Sequence, residues 1–114
     1  MKYELAGPYE LPREHSGLFS RVARIKREFW DGLEHELPGL SGAHECYLFS
    51  VRNVVWYVGK AERQSFRREC FTPDKTTRID EASRRGIGPV SLMLLPRMTA
   101  GCKFQSIGKM GGRK

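Results

Sequence analysis

Apolar residues are grouped along the chain in blocks whose spacing predicts a few short strands and helices. The two densest apolar runs, 46–51 and 54–58, are separated by the dipeptide Arg52-Asn53. Two such runs around a two-residue polar turn are typical of a β-hairpin. We therefore expect a hairpin near the middle of the chain, with its second strand ending at Gly59.

A helix is predicted before the hairpin. Apolar residues recur every three or four positions from Leu18 to Leu33, which is the spacing of one helical face. Ser16 stands at the N-cap position, and Pro38 with Gly39 ends the helix. The opposite face is basic and can contact phosphates or, as we favour, simply face solvent. It carries Arg21, Arg24, Lys26 and Arg27.

Two helices and a strand are predicted after the hairpin. Residues 61–70 have helix-forming composition, and a second helix is expected at 75–85, with its cap supplied by the turn 72–74. Ile79 and Ala82 are expected to be the inward residues of this second helix. The apolar run 89–95 is short enough for a buried strand, which we expect to end before Pro96. This strand completes the sheet that the hairpin begins.

These elements predict an α+β fold with layered α/β character. We expect a small mixed or antiparallel three-stranded central sheet flanked by helices, within one domain overall. Residues 1–42 hold an N-terminal arm and the amphipathic helix, 43–97 form the core, and 98–114 are a basic flexible tail. The first 14 residues are expected to be an extended arm or an edge strand.

Charge points to a polyanionic partner. The 114 residues include 20 Lys and Arg against 13 Asp and Glu, which gives a net charge of +7. Such a balance favours nucleic acid ahead of membrane. We expect a soluble, cytoplasmic protein, since the sequence has neither a spanning apolar run nor a signal peptide. Widely spaced Cys46, Cys70 and Cys102 indicate reduced thiols, and histidines without ligand spacing indicate no structural metal.

Four residues of the predicted hairpin and the segment after it carry a resemblance to a known family. Tyr47 and Tyr57 lie one on each strand, Gly59 follows the second tyrosine, and Arg67 lies in the next predicted helix. At these positions the chain resembles the GIY-YIG nuclease family, with CYL and YVG as counterparts of its two tripeptides. The wording YVGKA is similar to the second motif of the nuclease subunit of bacterial nucleotide excision repair. The resemblance covers about residues 43–97.

The resemblance implies a magnesium-dependent endonuclease that hydrolyses phosphodiester bonds of nucleic acid, with DNA favoured as the substrate. It implies one divalent metal and a motif tyrosine that helps to deprotonate the attacking water. The implied catalytic residues are Tyr47, Tyr57, Arg67 and Lys60, where the two cations provide a positive field and Arg67 stabilises charge on the phosphate. Further contacts to nucleic acid are expected from Gly59, Arg63, Arg68, Lys75 and Lys103.

The metal ligand is the part of the family pattern that this chain matches least. The family places its metal-binding Glu on a helix after the third strand, and no acidic residue follows Glu81 here. Glu81 can substitute for it, the carboxylate can lie beyond this sequence, or the metal site can be lost. The alternative to an endonuclease is therefore a catalytically impaired or truncated nucleic-acid-binding module of the same scaffold.

Plain structural roles are open for several of these residues. Tyr47 and Tyr57 can pack across a hairpin as ordinary strand aromatics. Glu69 and Glu81 are expected at the surface as partners of neighbouring arginines, each contributing little to stability. Of the adjacent pair 67–68, only Arg67 is expected to face the hairpin.

Overall fold

The protein is described by a computed structural model, which covers residues 2–3, 5–12, 23–99, 101 and 104–105. Within these residues the chain forms five strands and three helices in a mixed α+β arrangement. In chain order they are β1 (Lys2–Tyr3), β2 (Ala6–Glu10), α1 (Ala23–Glu36), β3 (Glu45–Val51), β4 (Val54–Ala61), α2 (Phe66–Glu69), α3 (Pro73–Gly86) and β5 (Val90–Met98).

The strands form one antiparallel sheet with the order β1-β5-β3-β4. Strand β2 also pairs with β5, beside the position of β1. The expectation of three strands is therefore wrong, because the N-terminal segment adds two short strands to the free side of β5. The expectation that this segment supplies an edge strand is confirmed.

The predicted hairpin is confirmed, and its turn sets the pairs next to it, Val51 with Val54 and Ser50 with Val55, before the register shifts by one residue at Phe49. Arg52 and Asn53 have φ values of 53° and 66°, so both central residues of the turn are left-handed. Such a turn matches the twist of the two strands that it joins. The second strand continues to Ala61, beyond the predicted end at Gly59, because Ala61 still pairs with Glu45.

Strand β5 does not end before Pro96 as expected. The N–H of Arg97 donates to the carbonyl of His44 on the β3 side. Neighbouring residues of a strand direct their backbone groups to opposite edges, so the Pro96 nitrogen faces the other side. On that side β5 pairs with the two N-terminal strands, and Pro96 lies between the pairs Ala6–Leu94 and Tyr3–Arg97. Proline is tolerated there because no ladder hydrogen bond is lost.

The helices differ from their predicted bounds for local reasons. Helix α2 has one turn rather than spanning 61–70, because the chain pairs in the sheet up to Ala61 and Ser65 then caps the helix by accepting from the Arg68 N–H. Helix α3 begins at Pro73, earlier than predicted. Helix α1 agrees with the predicted helix, whose proposed N-cap Ser16 lies outside the described residues.

The core lies between the helices and one face of the sheet. Tyr47, Phe49 and Val51 of β3 are all buried on this face. Ile79 and Ala82 of α3 are buried as predicted, since they pack towards β3 and β5. A second group of contacts ties α1 to the end of α2, through the rings of Phe29, Trp30 and Phe71.

Candidate functional site

Positive charge is concentrated in the second half of the chain. Residues 1–51 include six basic and eight acidic side chains, whereas residues 52–86 include nine basic and five acidic ones. Residues 87–114 add five basic side chains and no acidic one. A polyanion is therefore expected to approach the hairpin, α2 and α3 rather than the N-terminal strands and α1.

Tyr47 is a buried residue whose ring lies directly over Gly59. The two residues are paired across the hairpin. A Cβ at position 59 would lie 2.5 Å from the Tyr47 hydroxyl oxygen and 2.8 Å from its Cε1. Gly59 was expected to let the backbone approach a ligand. In the structure its missing side chain makes room for the Tyr47 ring instead.

The Tyr47 hydroxyl lies beside a carboxylate. It donates to Glu69 Oε2 at 3.5 Å, and Lys75 Nζ lies 3.2 Å from the same oxygen. Burial raises the pKa of Tyr47, and the neighbouring Cys70, Tyr57 and Glu69 raise it further. Tyr47 therefore keeps its proton and serves as a hydrogen-bond donor.

Glu69 was expected to be a surface partner of neighbouring arginines, and this expectation is wrong. Its side chain is only 19% exposed, and its partners are Tyr47 and Lys75. Burial acts to lower the pKa of Lys75, but the hydrogen bond and negative charge of Glu69 outweigh it and raise the pKa above its usual value. Lys75 is therefore a cation held in place between helix α3 and the sheet.

Tyr57 is the more accessible of the two tyrosines. It is half-buried, and its ring centroid lies 6.2 Å from that of Tyr47, so the two residues are diagonal neighbours on one face of the sheet. Arg78 lies over the Tyr57 ring at 4.7 Å and Lys75 at 5.9 Å. Sequence reasoning missed Arg78, although its position three residues after Lys75 places both on one face of a helix.

Arg67 was expected to face the hairpin, and this expectation is wrong, because its guanidinium is bound by Asp31 of helix α1. Its Nη2 donates to Asp31 Oδ1 at 2.8 Å, and both side chains are more than a third exposed. The neighbouring Arg68 is exposed, as expected. An exposed ion pair of this kind contributes little to stability, so a phosphate can readily compete with Asp31 for the guanidinium.

The remaining predicted basic contacts lie at the surface around the hairpin. Lys60, at the end of β4, forms an exposed ion pair with Glu62 at 3.3 Å. The hydrogen bond from Lys60 to Glu62 raises the pKa of the lysine. Arg63 is exposed in the segment that follows, and Lys103 lies outside the described residues. Lys60 and Arg63 are both exposed, so each side chain can contact a phosphate without a change in the fold.

The described residues do not complete a magnesium site at the tyrosines. Glu81 is exposed and pairs with Arg85 at 3.6 Å, as expected of a surface carboxylate. Glu69 is the carboxylate bonded to Tyr47, but the ammonium of Lys75 already neutralises it. In the described parts of the chain, no three His, Cys, Asp or Glu side chains are grouped closely enough to hold a metal. Magnesium sites use one or two carboxylates that are free to bind the ion.

Two further findings bear on the earlier expectations. Cys46 and Cys70 are free thiols, as predicted, and Cys102 lies outside the described residues. None of the described helices is both long enough and apolar enough to cross a membrane.

Comparison with known proteins was made at the levels of family, sequence and structure. No protein-family model, curated protein or solved structure matches this chain.

Proposed function

We propose that this protein binds nucleic acid at the hairpin and acts as a metal-dependent endonuclease of the GIY-YIG type, with DNA as its substrate. The observation that carries the proposal is the convergence of Tyr57 with Lys75 and Arg78 beside the buried pair Tyr47 and Glu69. A half-buried tyrosine with two cations over its ring is suited to hold a phosphodiester and orient a water molecule towards it.

Each residue of this cluster has a distinct role in the proposal. Tyr57 presents its hydroxyl to the attacking water, and Lys75 and Arg78 neutralise the phosphate oxygens. Tyr47 does not meet the substrate, because it is fully buried, and instead holds Glu69 by a hydrogen bond. Arg67 joins the phosphate contacts by exchanging its exposed partner on α1.

The divalent ion that the family uses would polarise the phosphate and activate water. Glu69, the carboxylate bonded to Tyr47, is already neutralised by the ammonium of Lys75. This same contact favours a second candidate function, a nucleic-acid-binding module that does not cleave. In that case the Glu69–Lys75 pair is a fixed part of a phosphate-binding surface.

A plasmid-nicking assay separates the two functions. Supercoiled DNA is incubated with the protein in magnesium and, in parallel, in a chelator. The endonuclease proposal expects nicking in magnesium only, and its loss in Tyr57→Phe and Arg67→Ala. Tyr9→Phe is the matched control, because Tyr9 is a half-buried tyrosine on β2, away from the cluster. Intact plasmid under every divalent metal tested would leave only the binding module.

Binding itself is tested by the salt dependence of affinity for a short duplex. Phosphate contacts release counterions, so the affinity should fall steeply as salt rises. Arg78→Ala should weaken binding and reduce the slope by about one counterion. Arg27→Ala removes an exposed arginine from α1 and should leave the slope unchanged. An affinity that ignores salt would refute nucleic acid as the partner.

A further inference from the structure

The outer strand of the sheet exposes a group of large apolar side chains. Strand β4 is the end of the strand order. Val54 and Trp56 lie on its α3 side, because Val54 pairs with the buried Val51 and a Cβ added at Gly86 would lie 3.1 Å from the indole nitrogen of Trp56. Val55 and Val58 pair with Ser50 and Leu48 and face the other side of the sheet. Trp56 is 37% exposed and Val58 62% exposed. The Trp56 surface is made of Trp56 and Val54, together with the exposed Ile87 that follows Gly86.

A line of guanidinium groups from helix α3 lies along the two aromatic residues of β4. Arg78 lies over Tyr57 at 4.7 Å, and Arg85 lies over Trp56 at 5.8 Å. The two arginines are two helical turns apart, about 10 Å along the helix. The two aromatic rings of β4 and the two guanidinium groups of α3 therefore form two parallel rows, which lead from the candidate site towards the turn of the hairpin.

The carboxylates near this line do not cancel its charge for a phosphate. Arg78 pairs with Asp74 and Arg85 pairs with Glu81, each four residues earlier on α3. The carboxylates of both pairs are more than half exposed, so these contacts are weak and screened by salt. The stretch 52–86 as a whole still has four more basic than acidic residues.

We propose that the Trp56 surface binds unpaired bases of a single-stranded nucleic acid, with Trp56 as the stacking platform and Arg85 as a phosphate contact. The proposal rests on the proposed function. It specifies that the nucleic acid bound at the Tyr57 cluster is single-stranded where it reaches Trp56. Aromatic residues beside a basic groove are the usual means of binding single strands. Base faces are accessible in a single strand, whereas a duplex covers them by stacking.

Charge decides between a nucleic acid and a protein as the occupant. Arg85 lies over Trp56, Arg52 is in the adjoining hairpin turn, and Glu81 is the acidic residue paired with Arg85. A polyanion gains from every one of these arginines. A second copy of the chain would bring the same arginines against its own, which is repulsive.

Fluorescence anisotropy with labelled oligonucleotides tests the proposal. Trp56→Ala should weaken binding of a single strand by about five- to 150-fold, because stacking on one aromatic residue contributes that much. Trp56→Phe should retain most of the affinity, since it keeps a ring. Val58→Ala removes another exposed side chain of the same strand and should change binding less than twofold. An equal loss for single strand and duplex would overturn the stacking role.

Tryptophan fluorescence gives an independent readout. The chain has two tryptophans, and Trp30 is only 2% exposed in the core. A stacked base should quench Trp56, so single-strand binding should lower the emission of the wild type and leave that of Trp56→Phe unchanged. Binding without quenching would overturn the proposal.

The outcomes separate this proposal from the proposed function. Duplex binding and nicking that persist in Trp56→Ala, without a preference for single strands in the wild type, would reject the stacking platform alone. No binding of any nucleic acid would reject both. A dimer in sedimentation that Trp56→Ala dissociates would show that a second copy occupies the surface, and would also reject the proposal.

Discussion

Replacing Gly59 with alanine tests whether the tight contact between the two hairpin strands is as the structure describes it. The added Cβ would lie 2.5 Å from the hydroxyl oxygen of Tyr47 and 2.8 Å from its Cε1, with Cζ closer still. Favourable contacts between carbon atoms lie at about 3.5–4.0 Å. The ring must therefore retreat by about 1 Å, an amount that the dense packing of a protein interior does not absorb freely.

The size of the effect follows from what surrounds the ring. Tyr47 is completely buried, and its ring packs against Phe49 at 5.7 Å and Tyr57 at 6.2 Å. Overpacking of a filled core costs about 1–3 kcal/mol. We expect Gly59→Ala to lose about 3 kcal/mol of unfolding free energy, at the upper end of this range. The backbone adds no cost, because the φ of Gly59 is not among the positive values.

Urea denaturation measures this loss, and a second glycine provides the matched control. Gly32 lies in helix α1 with nothing within 4 Å of its added Cβ, so Gly32→Ala should stabilise the protein by about 0.5–1 kcal/mol. Combining Gly59→Ala with Tyr47→Ala should cost less than the sum of the two, because the second change makes room for the first. Full additivity, or a Gly59→Ala protein as stable as the wild type, would refute the contact.

Three further predictions concern stability. Glu34 accepts from Ser41 Oγ and the Gly39 N–H, and these bonds lower its pKa, so Glu34→Gln should cost about 1–2 kcal/mol at neutral pH. A lowered carboxyl pKa stabilises the fold above the unfolded value, so in acid titrations this difference should shrink as the pH falls below 4.5. Glu69→Gln leaves the mostly buried Lys75 with the exposed Asp74, 3.7 Å away, in place of its closer partner, and should cost about 2 kcal/mol. Because the pKa of Lys75 is raised, the difference should persist up to about pH 10.5 and shrink above it in alkaline denaturation. Ser65→Ala removes the cap of α2 and should cost about 1 kcal/mol in urea, whereas Thr72→Ala, at an N-cap without a side-chain hydrogen bond, should cost less; equal losses would contradict the assigned caps.

The parts of the fold that depend on local chemistry were predictable. The turn Arg52-Asn53 determines the hairpin, since few residue pairs accept two successive left-handed conformations. The inward residues of α3 followed from helical spacing, and the structure buries Ile79 and Ala82. Helix composition at 61–70 was misleading because pairing up to Ala61 outweighs helix propensity, which contributes less than 1 kcal/mol per ordinary residue.

The parts that depend on distant segments were not predictable. The two N-terminal strands pair with β5, about ninety residues later, and nothing in their own sequence specifies that partner. Pro96 was expected to end β5 because proline lacks a donor. That rule applies only to the edge that its nitrogen faces, and which edge this is depends on how Arg97 pairs with the segment before β3.

The candidate site shows the same division between local and distant information. The positions of Tyr47 and Tyr57 on opposite strands were predicted, but the turn alone does not place them on one face. Pairing continued from the turn would set Tyr47 opposite Val58, and the register shift between Phe49 and Ser50 brings Tyr57 to the face of Tyr47. Glu69 and Arg78 come from α2 and α3, whose placement depends on tertiary packing. Sequence spacing assigns two residues to one hairpin, but it shows neither the bulge that brings them to one face nor the carboxylate that a third element adds.

The two tyrosines are not equivalent, and this difference constrains any mechanism at the site. Burial raises the pKa of Tyr47, and its hydroxyl is directed at the carboxylate of Glu69, so it can neither accept a proton from water nor reach a substrate. Tyr57 is half-exposed and has Arg78 against its ring. A reaction at this site must therefore proceed on the Tyr57 side. In the proposed endonuclease, Tyr47→Phe should impair the reaction only by releasing Glu69 and Lys75 from their positions, whereas Tyr57→Phe removes the hydroxyl that is proposed to orient the attacking water.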